Sequence, residues 1–420
     1  MAWIVVLLLL MLILIGTPIG FALMISAAIA MAISDIDLIM APIQMFSGAN
    51  KVVLLAIPLF IFMGELMGAT SISERIISLA RALVGWMRGG LAHVNVVTSM
   101  FMAEMSGSAV ADAAVMSKIF VPSMEKQGYP KSFAAAVTAT SATLGIIIPP
   151  SIPMVLYGVT TNTSIKDLFV AGIIPGLLLG GAFMVTSYIF ARKEGHPVDE
   201  RFELKRLNKA FLGALVPLLI PVLVVGGLIG GFVTPTEAAT LGVVAALLYG
   251  WPIRRDLNLK AVYELGSITV RQTSVVMMII AGSAVLGQFL ANEQIPQQIA
   301  SGLGGLTESF VLRMLLINVF LLFLGMFLHA SAAIIVVVPM LLPLAQEMGI
   351  DPVHFGVIVC LNLGIGQQTP PVASVLLTVC SVTGLKVENV MGYCKWFILA
   401  MFVTLMIVAF IPQTATWLGG

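Results

Sequence analysis

The stretch 102–158, MAEMSGSAVADAAVMSKIFVPSMEKQGYPKSFAAAVTATSATLGIIIPPSIPMVLYG, constrains this chain most. It is apolar enough to lie in a membrane, yet it interrupts its own helices twice. One interruption is Ser106-Gly107-Ser108; the other runs from Gly145 to Pro149-Pro150-Ser151. A broken helix in lipid leaves backbone N–H and C=O groups unpaired, at several kcal/mol each. Such breaks persist only where protein buries them or where they line a polar cavity. Two in one bundle mark a binding site.

The stretch has a second copy. Gly145 with Pro149-Pro150 recurs as Gly366 with Pro370-Pro371, an offset of 366 − 145 = 221, which also relates Pro122 to Pro343 and Gly128 to Gly349. Upstream the offset becomes 223: Gly64 matches Gly287, Ile72 Ile295, Ile76 Ile299, Asn95 Asn318 and Ser108 Ser331. Apolar matches carry little weight in so apolar a chain. Gly, Pro and Asn at constant offset indicate an internal duplication.

Of the 420 residues, 59% are hydrophobic and 10% charged, and mean hydropathy is +1.07. Soluble domains carry about 25% charged residues, so the chain reads as an all-α polytopic membrane protein. A net charge of +1 gives no sign of a nucleic-acid partner. Cys360, Cys380 and Cys394 have no metal-like spacing and read as small buried hydrophobes. No Lys or Arg precedes Lys51, and the first apolar run reaches about Ile33. That is too long for the core of a cleavable signal. Residues 3–33 are expected to cross once, about 46 Å if unbroken, tilted or bent at Gly16-Thr17-Pro18.

The layout then reads as follows. Residues 1–50 supply an N-terminal scaffold helix and a short polar stretch at 34–49. Repeat 1 covers 51–193: a span at 52–67, an interfacial arm at 71–88, a re-entrant hairpin at 89–125, a broken helix at 131–162 and a span at 167–193. Residues 194–270 hold the polar loop 192–209, with six Lys or Arg, spans at 211–229 and 236–251, and an interfacial piece at 257–265. Repeat 2 covers 271–420: a span at 271–290, an arm at 294–303, a hairpin at 309–347 with its tip at His329-Ala330-Ser331, a broken helix at 352–383 and a span at 388–412. Hairpin arms near 15 residues fall short of the roughly 20 that a crossing needs.

With the 192–209 loop in the cytoplasm, 18 of the 21 Lys and Arg fall on that side; Lys51, Lys166 and Arg313 do not. The N-terminus is then cytoplasmic and the C-terminus periplasmic. The first hairpin opens to the cytoplasm and the second to the outside, so the halves are inverted repeats, the arrangement of alternating-access carriers.

Each tip presents a helix N-terminus, which favours an anion. Each Pro-Pro break frees carbonyls, because proline has no N–H to return to them. Carbonyls with Ser or Thr hydroxyls make an oxygen cage suited to Na⁺. One cage would use Ser106, Gly107, Ser108, Gly145, Ile148 and Pro150. The other would use His329, Ala330, Ser331, Gly366, Thr369 and Pro370. Ser108, Asp112, Tyr157, Ser331 and Gln367 are the residues expected to meet substrate.

Several of these have a plainer reading. Asp112 either caps its helix dipole or couples an ion, and Glu104 is equally open. Glu65, near Gln288 of the other half by repeat position, could be a contact between helices. Glu237 reads as a cap after a proline turn. His329 could be a packing histidine, and Gln367 with Gln368 could bridge helices. No GxxxxGK[ST], HExxH or triad is present, so the chain is read as no enzyme, with no cofactor beyond Na⁺ as coupling ion.

Four stretches resemble one family: GTPIGFAL from Gly16; GSAVAD from Gly107 with PSMEKQGY from Pro122; GIIIPPSIPMVLYG from Gly145; and GFVTPTEAA from Gly231. The chain is similar along its whole length to the large membrane subunit of TRAP transporters, the DctM or SiaM type. That resemblance implies a Na⁺-driven elevator in a bacterial inner membrane, importing organic acids such as sialic acids or C4-dicarboxylates. It implies two partners, a small four-helix membrane subunit and a soluble periplasmic binding protein. The hairpins and broken helices would move; the remaining spans and arms would form the scaffold. A stand-alone Na⁺- or H⁺-coupled carboxylate carrier of the same architecture, or a channel, are the alternatives.

Overall fold

The structure is a computed structural model and describes residues 2–34, 37–106, 108–294, 298, 307 and 309–417. In chain order the helices are α1 (Ala2–Leu14), α2 (Ile19–Ile33), α3 (Met40–Ala49), α4 (Ala56–Gly68), α5 (Ile72–Val84), α6 (Gly90–Ser106) and α7 (Ala109–Lys126). There follow α8 (Lys131–Ala142), α9 (Ile152–Thr161), α10 (Ile165–Glu194), α11 (Leu204–Ile229), α12 (Pro235–Leu248) and α13 (Leu259–Asn292). The chain closes with α14 (Phe310–Phe327), α15 (Ala330–Glu347), α16 (Pro352–Gly366), α17 (Ser374–Thr383), α18 (Val387–Phe410) and α19 (Gln413–Thr416). Among the described residues, seven helices are long and apolar enough to cross a membrane, or up to eight counting the bent pair Met40–Ala49 and Val52–Gly68, which meet at 60°.

Local chemistry sets many boundaries. α1 ends at Gly16, whose φ of +86° suits glycine. Gly16 N–H donates to Ile13 O and Thr17 N–H to Leu12 O, both at 3.0 Å, closing a Schellman motif before Pro18. The duplicated glycines Gly128 and Gly349 do the same for α7 and α15. Tyr129 N–H donates to Met124 O and Ile350 N–H to Ala345 O, each glycine having positive φ. The internal repeat is therefore visible in matching caps.

Five expectations change. The run 3–33 is two helices that pack on each other, not one rod. The stretch 34–49 is not simply polar: α3 has no buried residue and exposes Ile43 and Phe46. The loop at 192–209 shrinks to 195–203, because α10 and α11 extend into it. The piece at 257–265 is no separate interfacial helix, since α13 runs unbroken through it. The fifth is the composition of the site-bearing unit. α10 packs on α6, α16 and α18, and α18 packs on α8. Both therefore pack with the hairpins and broken helices. The second arm, 294–303, lies almost wholly outside the described residues.

Two packed groups result. α2, α3, α4, α5, α11, α12 and α13 form one, chiefly through α2–α13, α4–α12 and α5–α11. α6–α10 and α14–α18 form the other. Within it the repeats interlock: α7 packs on α17, and α15 packs on α9. Arm α5 is tied down at both ends. Ser71 donates through N and Oγ to Asp256 Oδ2 at 3.0 and 2.8 Å. Those bonds hold the Asp256 carboxyl below its ordinary range. Arg81 lies 3.6 Å from Asp199.

α10 measures the thickness of this body, about 45 Å for its 30 residues. Near its C-terminal end, Tyr129 Oη donates to Pro197 O and Gln127 to Asp199, fixing the open end of the α6–α7 pair. Near its N-terminal end, Tyr157 Oη donates to Pro352 O at 2.6 Å, just past the open end of α14–α15. The open ends of the two helical pairs thus lie near opposite ends of α10.

Candidate functional site

At the first break α8 tightens into a 3₁₀ turn, Thr143–Ile146, and α9 restarts at Ile152. Pro149 and Pro150 deprive the carbonyls of Gly145 and Ile146 of their i+4 donors. Ser151 repairs one of them: its Oγ donates to Ile146 O at 2.6 Å and accepts from Met154 N–H at 3.4 Å, capping α9. No backbone N–H of a described residue returns to the carbonyls of Gly145, Ile148 or Pro150. Residues 141–159 are buried throughout. α10 reaches the break through glycines, since a Cβ on Gly172 would lie 2.3 Å from Ile147 O.

The second break keeps the pattern with other partners. Gly366 O accepts from Thr369 N–H at 3.0 Å, and Thr369 Oγ1 donates to Ile365 O at 2.8 Å. Gln367 O accepts from Val375 N–H at 3.2 Å. Gln367 is fully buried and neither amide atom of its side chain has a partner among the described residues. Gln368 Nε2 instead donates to Ala139 O at 2.6 Å, joining the two broken helices. Both Pro-Pro bonds are cis. The first arm of the second hairpin, α14, docks here backbone to backbone: a Cβ on Gly366 would lie 2.4 Å from Gly325 C.

At the first tip Ser108 caps α7, its Oγ accepting from Ala111 N–H at 3.4 Å, and buried Asp112 occupies the first turn. Gly107, with the side chains of Ser106 and Glu104, lies outside the described residues. At the second tip His329 takes the N-cap position of α15 without a side-chain cap bond, and Ala330 and Ser331 are buried in its first turn. Buried amides tie both first arms to the broken helices. Asn95 Nδ2 donates to Thr138 Oγ1 at 2.7 Å, and Asn362 Nδ2 donates to Asn318 Oδ1 at 2.6 Å.

Two cavities lie along the seam between the groups. One, of about 280 Å³, is walled by Ser108, Ala111 and Asp112 of α7, Gly64 and Glu65 of α4, and Gln272 of α13. Gln272 Nε2 donates to Glu65 Oε1 at 2.8 Å, so the partner of Glu65 is Gln272 and not Gln288. The other, of about 230 Å³, is walled by Lys51, Val159 and Thr160, by Ser283 and Gly287 of α13, and by Val336 and Pro339 of α15. Lys51 Nζ donates to Val159 O at 3.1 Å across the seam. The duplicated glycines Gly64 and Gly287 thus each face a cavity. One cavity carries carboxylates and the other a cation.

Of the expected substrate contacts, Ser108 and Asp112 share the first cavity. Tyr157 does not line either one: it is fully buried, its hydroxyl bonded to Pro352 and its ring against Gly356. Glu237 is a cap as expected, closing a capping box with Thr234. Sequence reasoning missed Gln272 and Thr160 as wall residues. It had marked Lys51 only as a cation outside the charge bias, and that exception was the available signal.

Comparison with known proteins agrees with this architecture. The chain is 39% identical over 403 residues to the sialic acid TRAP transporter large permease protein SiaM of Vibrio cholerae, covering 95% of this chain and 93% of the relative. It is 38% identical over 385 residues to the C4-dicarboxylate TRAP transporter large permease protein DctM of Pseudomonas aeruginosa, covering 90% and 89%. In fold it is similar to the crystal structure of the Alcanivorax borkumensis YdaH transporter, described as having an unusual topology, with a TM-score of 0.64 and 16% identity over 90% of this chain and 87% of that one. The family model for the DctM component of the tripartite ATP-independent periplasmic transporter matches residues 5–414. With full-length relatives above 30% identity, the chain is a multi-pass membrane transporter protein, not an enzyme, and belongs to the DctM-component family of TRAP transporters.

Proposed function

We propose that this chain is the large permease subunit of a bacterial inner-membrane importer of an organic acid, driven by a Na⁺ gradient. A periplasmic binding protein delivers the acid, and a small four-helix subunit completes the membrane part. The N-terminus is cytoplasmic and the C-terminus periplasmic. The relatives named for sialic acid and C4-dicarboxylates support the substrate class.

One observation carries the mechanism: an interlocked unit with two proline breaks meets the other group along a seam with a cavity at each end, and α13 walls both. Sliding that unit along α13 would open one cavity to the binding protein and the other to the cytoplasm, which is an elevator. Na⁺, as cargo, takes neutral oxygens, and the carbonyls of Gly145, Ile148 and Pro150 have no backbone donor among the described residues. The anion meets Lys51 at the outer cavity.

The test is uptake by proteoliposomes holding this chain with its small subunit and binding protein. Replacing Na⁺ by K⁺ is expected to abolish it; unchanged uptake rules out Na⁺ coupling. Cysteine pairs between α7 and α4, in a background free of Cys360, Cys380 and Cys394, are expected to crosslink in two registers depending on Na⁺ and substrate. A single register in a protein that still transports would sink the elevator.

A further inference from the structure

A third cavity lies away from the seam, between arm α5 and the start of α11. It measures about 370 Å³ and is walled by Arg75, Ser78, Arg206, Lys209 and Gly213. We propose that it binds the headgroup of an anionic phospholipid, with the phosphate between the three cations.

The cations converge from two helices. Arg75 donates through Nη1 to Gly213 O at 2.6 Å, which fixes its guanidinium against α11. Arg206 spends one nitrogen on Glu200. Lys209 has no carboxylate within ion-pair distance among the described residues. Glu200 offsets Arg206 and Glu203 stands at the N-cap of α11, which leaves Lys209, near the positive end of the helix dipole, as the cation of the three without a carboxylate on it or a backbone bond among the described residues. Like charges gathered round a cavity repel, and a phosphate between them removes that cost.

The surroundings select a lipid over free phosphate. Further along α11, on the face next to that of Lys209 and Gly213, Leu212, Val216 and Leu219 are exposed at helical spacing, an apolar strip on which an acyl chain can lie. Past the end of α5 and ahead of the start of α11, the exposed rings of Trp86 and Phe202 pack edge to face with centroids 6.2 Å apart. Aromatic rings of this kind mark headgroup depth. Basic pockets at the ends of membrane helices hold anionic headgroups in this way. α5 is also the arm that links the two packed groups, so a lipid bridging Arg75 to Lys209 would pin the arm to α11.

The test uses the full chain in detergent, titrated with phosphatidylglycerol and read by native mass spectrometry. Phosphatidylcholine and inorganic phosphate are the comparison ligands. Affinity for phosphatidylglycerol is expected to fall about fivefold for each cation neutralised. The largest loss is expected in R75Q/R206Q/K209Q, and none in the control K386Q/K395Q. K209E changes one exposed side chain outside the packed core; it is expected to lower the affinity more than fivefold. Equal binding to K209E and the parent overturns the proposal, as does equal binding of phosphatidylcholine. Saturation by inorganic phosphate that blocks phosphatidylglycerol overturns the lipid assignment in favour of a free anion.

Discussion

The two proline breaks begin from the same pattern and are finished differently. At the first, Ser151 both takes the Ile146 carbonyl and caps α9, and every residue around it is buried. At the second, α17 starts from Ala373 at φ 48° with no side-chain cap, and Pro371 and Val372 are exposed. There the polar accounting stays incomplete, with Gln367 buried and both amide atoms unpartnered among the described residues. Buried unpaired amides cost about 1–3 kcal/mol. The first break satisfies its Ile146 carbonyl with one of its own side chains, whereas the second leaves both amide atoms of a buried glutamine without a partner among the described residues. Duplicated sequence therefore does not mean duplicated roles.

The largest expected effect breaks this comparison at the glycine contact. Gly366→Ala would drive a Cβ into Gly325 backbone, which cannot swing aside as a side chain can. Uptake is expected to fall at least tenfold, about the 1–3 kcal/mol of overpacking. Gly364→Ala, two residues away, meets nothing nearer than 3.7 Å and is expected to transport normally. Equal uptake by both variants would mean that the contact does not hold the second break.

Ser151→Ala should come next. It removes a cap and leaves Ile146 O unpaired, so thermal unfolding in detergent is expected at lower temperature by the equivalent of about 1–3 kcal/mol. Ala373→Ser, at the N-cap of α17, should alter stability by less than about 0.5 kcal/mol. Similar shifts in the two variants would erase the difference argued above.

The tips sharpen it further. Ser108→Ala loses the α7 cap, about 1 kcal/mol, whereas Ser331→Ala loses no cap bond. Both are expected to lower Na⁺-dependent uptake severalfold in folded protein. Normal transport by both would show that the oxygen cages are placed wrongly.

The smallest effect is at the open end of the first hairpin. His196 packs on Tyr129 and Phe133, with ring centroids 4.6 and 4.8 Å away. Burial pushes its imidazolium below the ordinary range, while Glu194 at 3.1 Å works the other way. The unfolded chain therefore holds the proton more tightly. The stability is full above about pH 6.5 and declines as pH falls below it. Relative to the intrinsic rate, which itself slows as pH falls, amide exchange at Tyr129 should rise between pH 7 and 5, and His196→Phe should remove that rise. A rise that persists in that variant refutes the assignment.

Helix breaks, caps and the duplication were legible because they are local and covalent in origin. A proline removes its N–H wherever it sits, and Gly16, Gly128 and Gly349 end helices by a backbone angle other residues avoid. The two breaks and the duplication followed from that, and the family from the four resembling stretches. Which apolar face meets lipid and which meets protein did not, because both environments ask for the same residues. Hydropathy thus could not say that α10 and α18 join the hairpin unit, that α13 is unbroken, or that Tyr157 is bonded to Pro352 rather than turned to a cavity. Nor could it pair Glu65 with Gln272, 207 residues apart, or leave Gln367 unpartnered, since partners distant in sequence are chosen only when the helices pack.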